Sequence, residues 1–212
     1  MSGARVMPMF PLGTVLFPRA LLPLHVFEPR YRLMTERVLR GDGEFGVVLI
    51  ERGSEVGGGD ARFDIGTVAR VVRAQQLPDG GYALATVGIR RLRVERWLPE
   101  DPYPCAEVVD LDEPLDAVPP APDATELRLR ARALNALGDV CALYRDADVP
   151  IPELPAIGDA PEQASYEIAA LAPIGPLDAQ RVLATAGAHD RLALLAEMLE
   201  EHARMLRASL PE

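Results

Sequence analysis

"MFPLGTVLFPRALLPLHVFEPRYRLM", residues 9–34, is apolar for most of its length, carries prolines at 11, 18, 23 and 29, and then passes into a charged run with helical spacing. Proline has no backbone donor and is confined to the edges, bulges and turns of a sheet. Pro11, Pro18 and Pro23 therefore exclude one long central strand. They predict short extended pieces, 9–17 and 21–27, separated at Pro18-Arg19 and bent around a barrel-like sheet. Pro29 suits a first helical turn, where its missing N–H costs nothing, and Glu28 stands on the favourable side of the helix dipole. Tyr31, Met34, Val38 and Leu39 recur at helical spacing up to Gly41, which ends the helix.

Working outward, "FGVVLI" (45–50) is an unbroken apolar run that predicts a buried strand, and "ERGSEVGGGDAR" (51–62) is a loop by its glycine and charge content. "FDIGTVARVVRAQQL", "GYALATVGI", "RRLRVERWL" and "YPCAEVVDL" alternate and are rich in valine, a strand signature, with "PDGG" (78–81) as a hairpin turn. Residues 1–111 thus read as one mostly antiparallel β domain containing a short helix. Composition changes at "DEPLDAVPPAPD" (112–123), a proline-rich acidic linker. Residues 124–212 read as an α-helical subdomain. Asp123 with Glu126 forms a capping box before a helix at about 124–144, and Asp159 with Glu162 repeats the pattern before a helix at 162–171. Further helices are expected at about 177–186 and 189–208, the last with Leu192, Leu195, Leu199, His202 and Leu206 on one face. The fold class is α+β.

The chain of 212 residues is 49% hydrophobic and 25% charged, enough to bury a sizeable core. A net charge of -10 disfavours nucleic acid and anionic membrane as partners. No apolar run is long enough to span a bilayer, and residues 1–8 lack the apolar core of a secretory signal. Cys105 and Cys141 match no metal or redox spacing and read as reduced thiols of a cytoplasmic protein.

All 22 basic residues are arginine, so chemistry that needs a lysine amine is excluded. "GSEVGGGD" (53–60) lacks the lysine of a phosphate-binding loop and precedes a strand. Ser2, Ser54, Ser165 and Ser209 sit in no nucleophile-elbow pattern. His25, His189 and His202 are scattered and give no metal-ligand pair on one helix. No catalytic residue, metal or cofactor is expected. One basic cluster remains: Arg90, Arg91, Arg93 and Arg96 beside Trp97 could face RNA. The competing reading has their strand packing Ile89, Leu92, Val94 and, in part, Trp97 inward while the arginines snorkel outward or bridge acids; the acidic balance of the chain favours it.

With those residues in view, the chain resembles the Lon substrate-binding domain family, the N-terminal domain of ATP-dependent Lon proteases that also occurs as a stand-alone bacterial protein. The resemblance is carried by F-P-L-x-x-V-L-F-P (10–18) and L-P-L-H-V-F-E-P-R-Y-R (22–32). It continues through "FGVVLI", "IGTVARVVRAQQLPDGGYALATVGIRRLRV", "YPCAEV" and "SYEIAALAPIGPLDAQRVLATAGAHDRLALLAEMLEE", and so covers nearly all of 9–205. A full Lon protease continues into ATPase and protease modules, whereas this sequence ends at Glu212. The resemblance therefore implies a stand-alone member without proteolysis.

The resemblance implies a PUA-like β-barrel subdomain followed by a helical bundle. It also implies a task without chemistry: recognising unfolded or damaged polypeptide, as adaptor or regulator of a cytosolic ATP-dependent protease or chaperone. Exposed apolar surface and unpaired strand edges would suit that task. The candidate binding surface is Met9, Phe17, Pro18, Leu21 and Leu22, with Met7 adding adaptable contacts; the alternative is that Phe17 and Leu22 fill the core. Glu28, Arg30 and Tyr31 read as structural, an Arg–carboxylate pair fixing the strand-to-helix turn.

Overall fold

The computed structural model describes residues 3–52, 61–111, 122–151 and 154–209. The chain divides into two compact units, Met1–Ala117 and Val118–Glu212. The linker expected at 112–123 lies outside the described residues except at Pro122 and Asp123, and the loop at 53–60 lies wholly outside them.

The first unit contains β1 (Arg5–Leu12), β2 (Leu21–Val26), α1 (Pro29–Arg40), β3 (Glu44–Arg52), β4 (Ala61–Gln76), β5 (Tyr82–Trp97) and β6 (Cys105–Asp110). The ladder runs β2-β5-β4-β3-β1-β6, and β6 also pairs with β5. The circuit β1-β3-β4-β5-β6-β1 therefore closes into a five-stranded barrel, which abolishes edges within the ring. β1 pairs with β3 in parallel, Phe10 opposite Val47; the other pairings are antiparallel. β5, at 16 residues, carries β4 along one side and divides its other side between two short strands. Tyr82–Val87 take β2, and Leu92–Trp97 take β6. The two strands expected at 82–97 are thus one, with pairing shifts at Val68/Ala69 and Val71/Arg73 of β4 that let the long hairpin bend around the barrel.

β1 starts earlier than expected and stops at Leu12. Residues 13–20 cross to β2 as a connection whose Leu16 and Phe17 turn into the interior. The barrel is filled from two sides. One cluster gathers Phe10, Val26, Tyr31, Met34, Phe45 and Leu84, so α1 packs its Tyr31–Met34–Val38 face there. The other gathers Met7, Met9, Val68, Leu92, Ala106 and Val108. The β4–β5 turn closes as expected: Gly80 donates to Leu77 at 2.9 Å and Leu77 to Gly81 at 2.9 Å, with Gly80 at φ +79°.

The second unit contains α2 (Ala124–Asp146), α3 (Pro161–Leu171), α4 (Pro176–Ala184) and α5 (Ala188–Ser209). Asp123 caps α2 through the N–H groups of Thr125 and Glu126, and Glu126 reaches back to the Asp123 N–H, completing the box. The corresponding box at Asp159 does not form. Pro161 starts α3 one position earlier, with Ala160 as N-cap, and the Asp159 carboxylate meets Arg130 at 3.2 Å instead. Glu162 pairs with the fully buried Arg191. α2 and α5 pack along one another. Arg132 holds Glu200 at 2.7 Å and Asp139 holds Arg207 at 3.0 Å. Both pairs advance seven residues on each helix, so the two helices run parallel.

Candidate functional site

The polar chemistry of the described residues is structural. Ser165 is buried, donates to the Glu162 carbonyl at 2.8 Å and accepts from Arg191 at 3.0 Å. Ser209 bonds Leu206 within its own helix. Tyr144 Oη and His202 Nε2 lie 2.9 Å apart, and His189 meets Asp190. Burial pushes the thiols of Cys105 and Cys141 up, against the opposing pull of Arg37 and Arg145 respectively, which disfavours the nucleophilic thiolate. Among the described residues no three His, Cys, Asp or Glu side chains are grouped to hold a metal, and no helix is long and apolar enough to cross a membrane.

The arginine strand is occupied with acids. Arg90 donates to Glu44 and to Asp110, both at 2.8 Å, and Asp110 also receives Arg5 at 2.8 Å. Arg91 is buried, Arg93 meets Glu95 at 2.6 Å, and Arg96 meets Glu107 at 2.5 Å. Arg90, Arg93 and Arg96 are thus paired with acids within the barrel and Arg91 is buried, an arrangement that lends no support to an RNA-facing surface.

An apolar surface does exist, and only part of it coincides with the expected residues. Met7 (3% exposed), Met9 (0%) and Phe17 (4%) are core side chains, and Pro18 is buried. They are packed away because β1 faces the barrel interior and the 13–20 connection folds Phe17 inward. Leu22 is half-buried against the α1-side cluster. Leu21 is 74% exposed. From Leu21 the period of two carries the same outer face through Pro23, His25 and Phe27, all exposed, with Phe27 at 51%. Pro23 and Phe27 are the exposed apolar residues of this face that sequence reasoning did not single out. The signal was present in the alternation L-x-P-x-H-x-F, but it selects a face only once β2 is known to lie on the outside of β5.

Backbone geometry explains the prolines. Gly88 donates to the Ala20 carbonyl at 3.0 Å and accepts from Arg19 at 2.7 Å, and the Thr86 hydroxyl donates to the Leu22 carbonyl at 2.7 Å. Alternation along this antiparallel pair turns the peptide groups of Leu22, Leu24 and Val26 toward β5 and those of Leu21, Pro23 and His25 away from it. Pro23 therefore stands where no ladder donor is needed. On β1, Met9 donates to the Pro104 carbonyl at 2.9 Å, so Pro11, two residues on, turns the same way. Among the described residues β2 pairs with β5 alone, and β1 pairs with β6 only through Arg5–Pro8. The C-terminal part of β1 and the outer edge of β2 thus flank an unpaired seam. A cavity of about 170 Å³ opens there, lined by Phe10 and Leu12 of β1, by Pro23 to Glu28, and by Tyr31 of α1.

The end of the seam is held rigid. The Tyr31 ring stacks on Phe10 with centroids 4.2 Å apart, and the Arg30 guanidinium lies over the Tyr31 ring, 4.5 Å from its centroid. Arg30 donates to Glu28 at 3.0 Å and to Glu100 at 3.3 Å, and Glu100 also pairs with Arg62. Glu28, Arg30 and Tyr31 together tie the exit of β2 to the first turn of α1, whose Thr35 hydroxyl bonds the Tyr31 carbonyl at 2.8 Å.

A closed five-stranded barrel with a helix between β2 and β3, followed in sequence by a helical unit, is a PUA-like α+β architecture. The model of the ATP-dependent protease La (LON) substrate-binding domain matches residues 6–201, and the chain belongs to that family. It is 29% identical to Lon protease 2 of Myxococcus xanthus over 97% of this chain and 24% of that protein. It is likewise 29% identical to the Lon protease of Anaeromyxobacter dehalogenans over 96% of this chain and 24% of that protein. The chain thus spans about a quarter of the length of these relatives. Among solved structures it is similar to a Lon N-terminal domain protein from Xanthomonas campestris, with TM-score 0.61 and 26% identity over 98% of this chain and 99% of that one. The N-terminal domain of a Mycobacterium avium complex Lon protease shares the fold, with TM-score 0.61 and 15% identity over 93% of this chain and 100% of that one.

Proposed function

We propose that the barrel unit is a non-catalytic, cytoplasmic polypeptide-binding module, that it recognises unfolded or damaged protein through the outer face of β2 and the adjoining seam, and that it serves an ATP-dependent protease as adaptor or regulator. The observation that carries the reading is the row Leu21, Pro23, Phe27, exposed beside an apolar cavity in a chain of the LON substrate-binding family. Exposed apolar surface of this kind costs solubility unless it is used. Unfolded chains differ from folded ones chiefly in the apolar side chains and free peptide groups they present, which is what this face and edge can take. The relatives join a matching segment to a longer protein named as a protease, which supports a partner of that kind.

The test is binding of the purified protein to a reduced, carboxymethylated model protein and to the native form of the same protein. Preference for the unfolded form, weakened by Leu21→Asp, is the expected result. Equal or absent binding to both forms removes the reading.

A further inference from the structure

We infer that the occupant of the seam is an extended, uncharged segment of another polypeptide, added as a strand along the free edge of β2 with one apolar side chain turned into the cavity beside Phe10 and Leu12. This rests on the polypeptide-binding reading above and specifies how the chain is held.

Three observations point to that occupant. The first is the hydrogen-bonding character of the edge. Leu21 and His25 turn both N–H and C=O outward, and Pro23 turns out C=O alone, so the edge offers more acceptors than donors. Across the seam Pro11 likewise has no donor to give. A ladder between β1 and β2 would lack a donor at each proline. An incoming strand supplies the missing N–H groups itself, at the two-residue spacing that the acceptors present. A helix cannot, because its own peptide groups are already engaged.

The second is the cavity. Side chains of an added strand alternate between its faces. One set would extend the outer row of Leu21, Pro23 and Phe27, and the other would point into about 170 Å³ of space, room for a single aliphatic side chain at a time. The third is charge. Glu28 is the charged side chain on the cavity wall, and it is matched by Arg30, which reaches Glu100, which reaches Arg62. The seam therefore presents no net charge, and neither a phosphate chain nor an anionic surface gains from entering it.

The probe is the octapeptide acetyl-Thr-Val-Thr-Val-Thr-Val-Thr-Gly-amide, labelled with fluorescein and followed by anisotropy, with two analogues N-methylated at all threonine or at all valine amides. Strand addition requires that one alternate set of amides faces β2 and the other does not. One analogue is then expected to lose about three- to tenfold in affinity for each hydrogen bond removed, while the other stays within about twofold of the parent. Loss from the threonine set indicates antiparallel addition, and loss from the valine set parallel addition.

If the unfolded protein binds through Leu21 while both analogues bind alike, or while the parent peptide fails to bind at millimolar concentration, strand addition is overturned and the polypeptide-binding reading stands. If the unfolded protein does not bind, the reading itself falls. A concentration-dependent dimer in sedimentation whose formation competes with the peptide overturns the proposal in favour of a second copy of this chain on the edge.

Discussion

Gly88 and Phe17 meet backbone to backbone: a Cβ on Gly88 would stand 2.3 Å from the Phe17 carbonyl oxygen. The contact fixes where the apolar connection crosses β5, since Gly88 also exchanges hydrogen bonds with Arg19 and Ala20, just after Phe17 in the chain. Gly88→Ala forces the connection off the strand and disturbs both bonds. The barrel should lose about 1–3 kcal/mol, the range for overpacking, read as a fall in the midpoint of urea unfolding followed by Trp97 fluorescence. An unchanged midpoint would show that the crossing is loose.

Glu44 joins two arginines of the barrel wall, and Asp110 joins two more contacts of the same chain of charges: Arg5–Asp110–Arg90–Glu44–Arg70. Burial acts to raise the Glu44 carboxyl, but hydrogen bonds from Arg90 and Arg70 outweigh it and hold the group below its ordinary value of 4.5. Asp110 is lowered in the same way by Arg5 and Arg90 against its own burial. A carboxyl depressed by folding stabilises the fold fully above its unfolded value and progressively less as pH falls through the folded one. Stability should therefore be flat near neutrality and decline below about pH 4.5. Urea unfolding repeated between neutral pH and pH 3 should show a shallower acid decline in Glu44→Gln than in the parent. Parallel curves for the two proteins would remove Glu44 from the account.

In the helical unit, Arg191 has no exposed surface and donates to Ser165 and to the Thr185 carbonyl, both at 3.0 Å, while pairing with Glu162 and lying 4.2 Å from the Tyr166 ring centre. The Glu162 side chain is 46% exposed. Removing the arginine leaves a carboxylate that water can reach, whereas removing the carboxylate leaves a buried cation without its counter-charge. Glu162→Ala should thus cost more than Arg191→Met, with the latter near the 1–3 kcal/mol of a lost charged hydrogen-bond set. Unfolding followed by ellipticity at 222 nm gives the order directly, and the reverse order contradicts it.

The prolines made the strand lengths legible, but not what the strands do. Pro11 and Pro23 show in the sequence that no long strand runs through them. That both turn their missing donors toward one seam depends on Gly88 and Pro104, far away in the chain, to set the alternation. The Asp123 box is readable because capping is local. The same spacing at Asp159 misleads because the helix begins at Pro161, which makes Ala160 rather than Asp159 its N-cap, while Arg130 and Arg191 claim the two acids. The parallel pairing of β1 with β3 joins segments with a helix between them, and no local pattern announces it. Phe17 looks like surface in a ribbon of Leu, Val and Phe because nothing short of the Gly88 crossing decides which way it turns.

Phe17 and Leu21 lie four residues apart and should behave oppositely. Phe17 is 4% exposed and Leu21 is 74% exposed. Phe17→Ala empties a packed position and should cost about 3–5 kcal/mol, with a large fall in melting temperature. Leu21→Ala removes a side chain that water already surrounds and should change stability by no more than about 0.5 kcal/mol. If the outer face of β2 receives polypeptide, the order reverses in binding. Leu21→Ala should weaken capture of a reduced, carboxymethylated protein, and Leu21→Ala with Phe27→Ala should weaken it further. Phe17→Ala, measured well below its own melting temperature, should retain capture. Thermal melting and capture on the same set of variants separate core from contact without knowledge of the physiological substrate. Loss of capture by Phe17→Ala while Leu21→Ala and the double variant bind normally would move the binding surface away from β2.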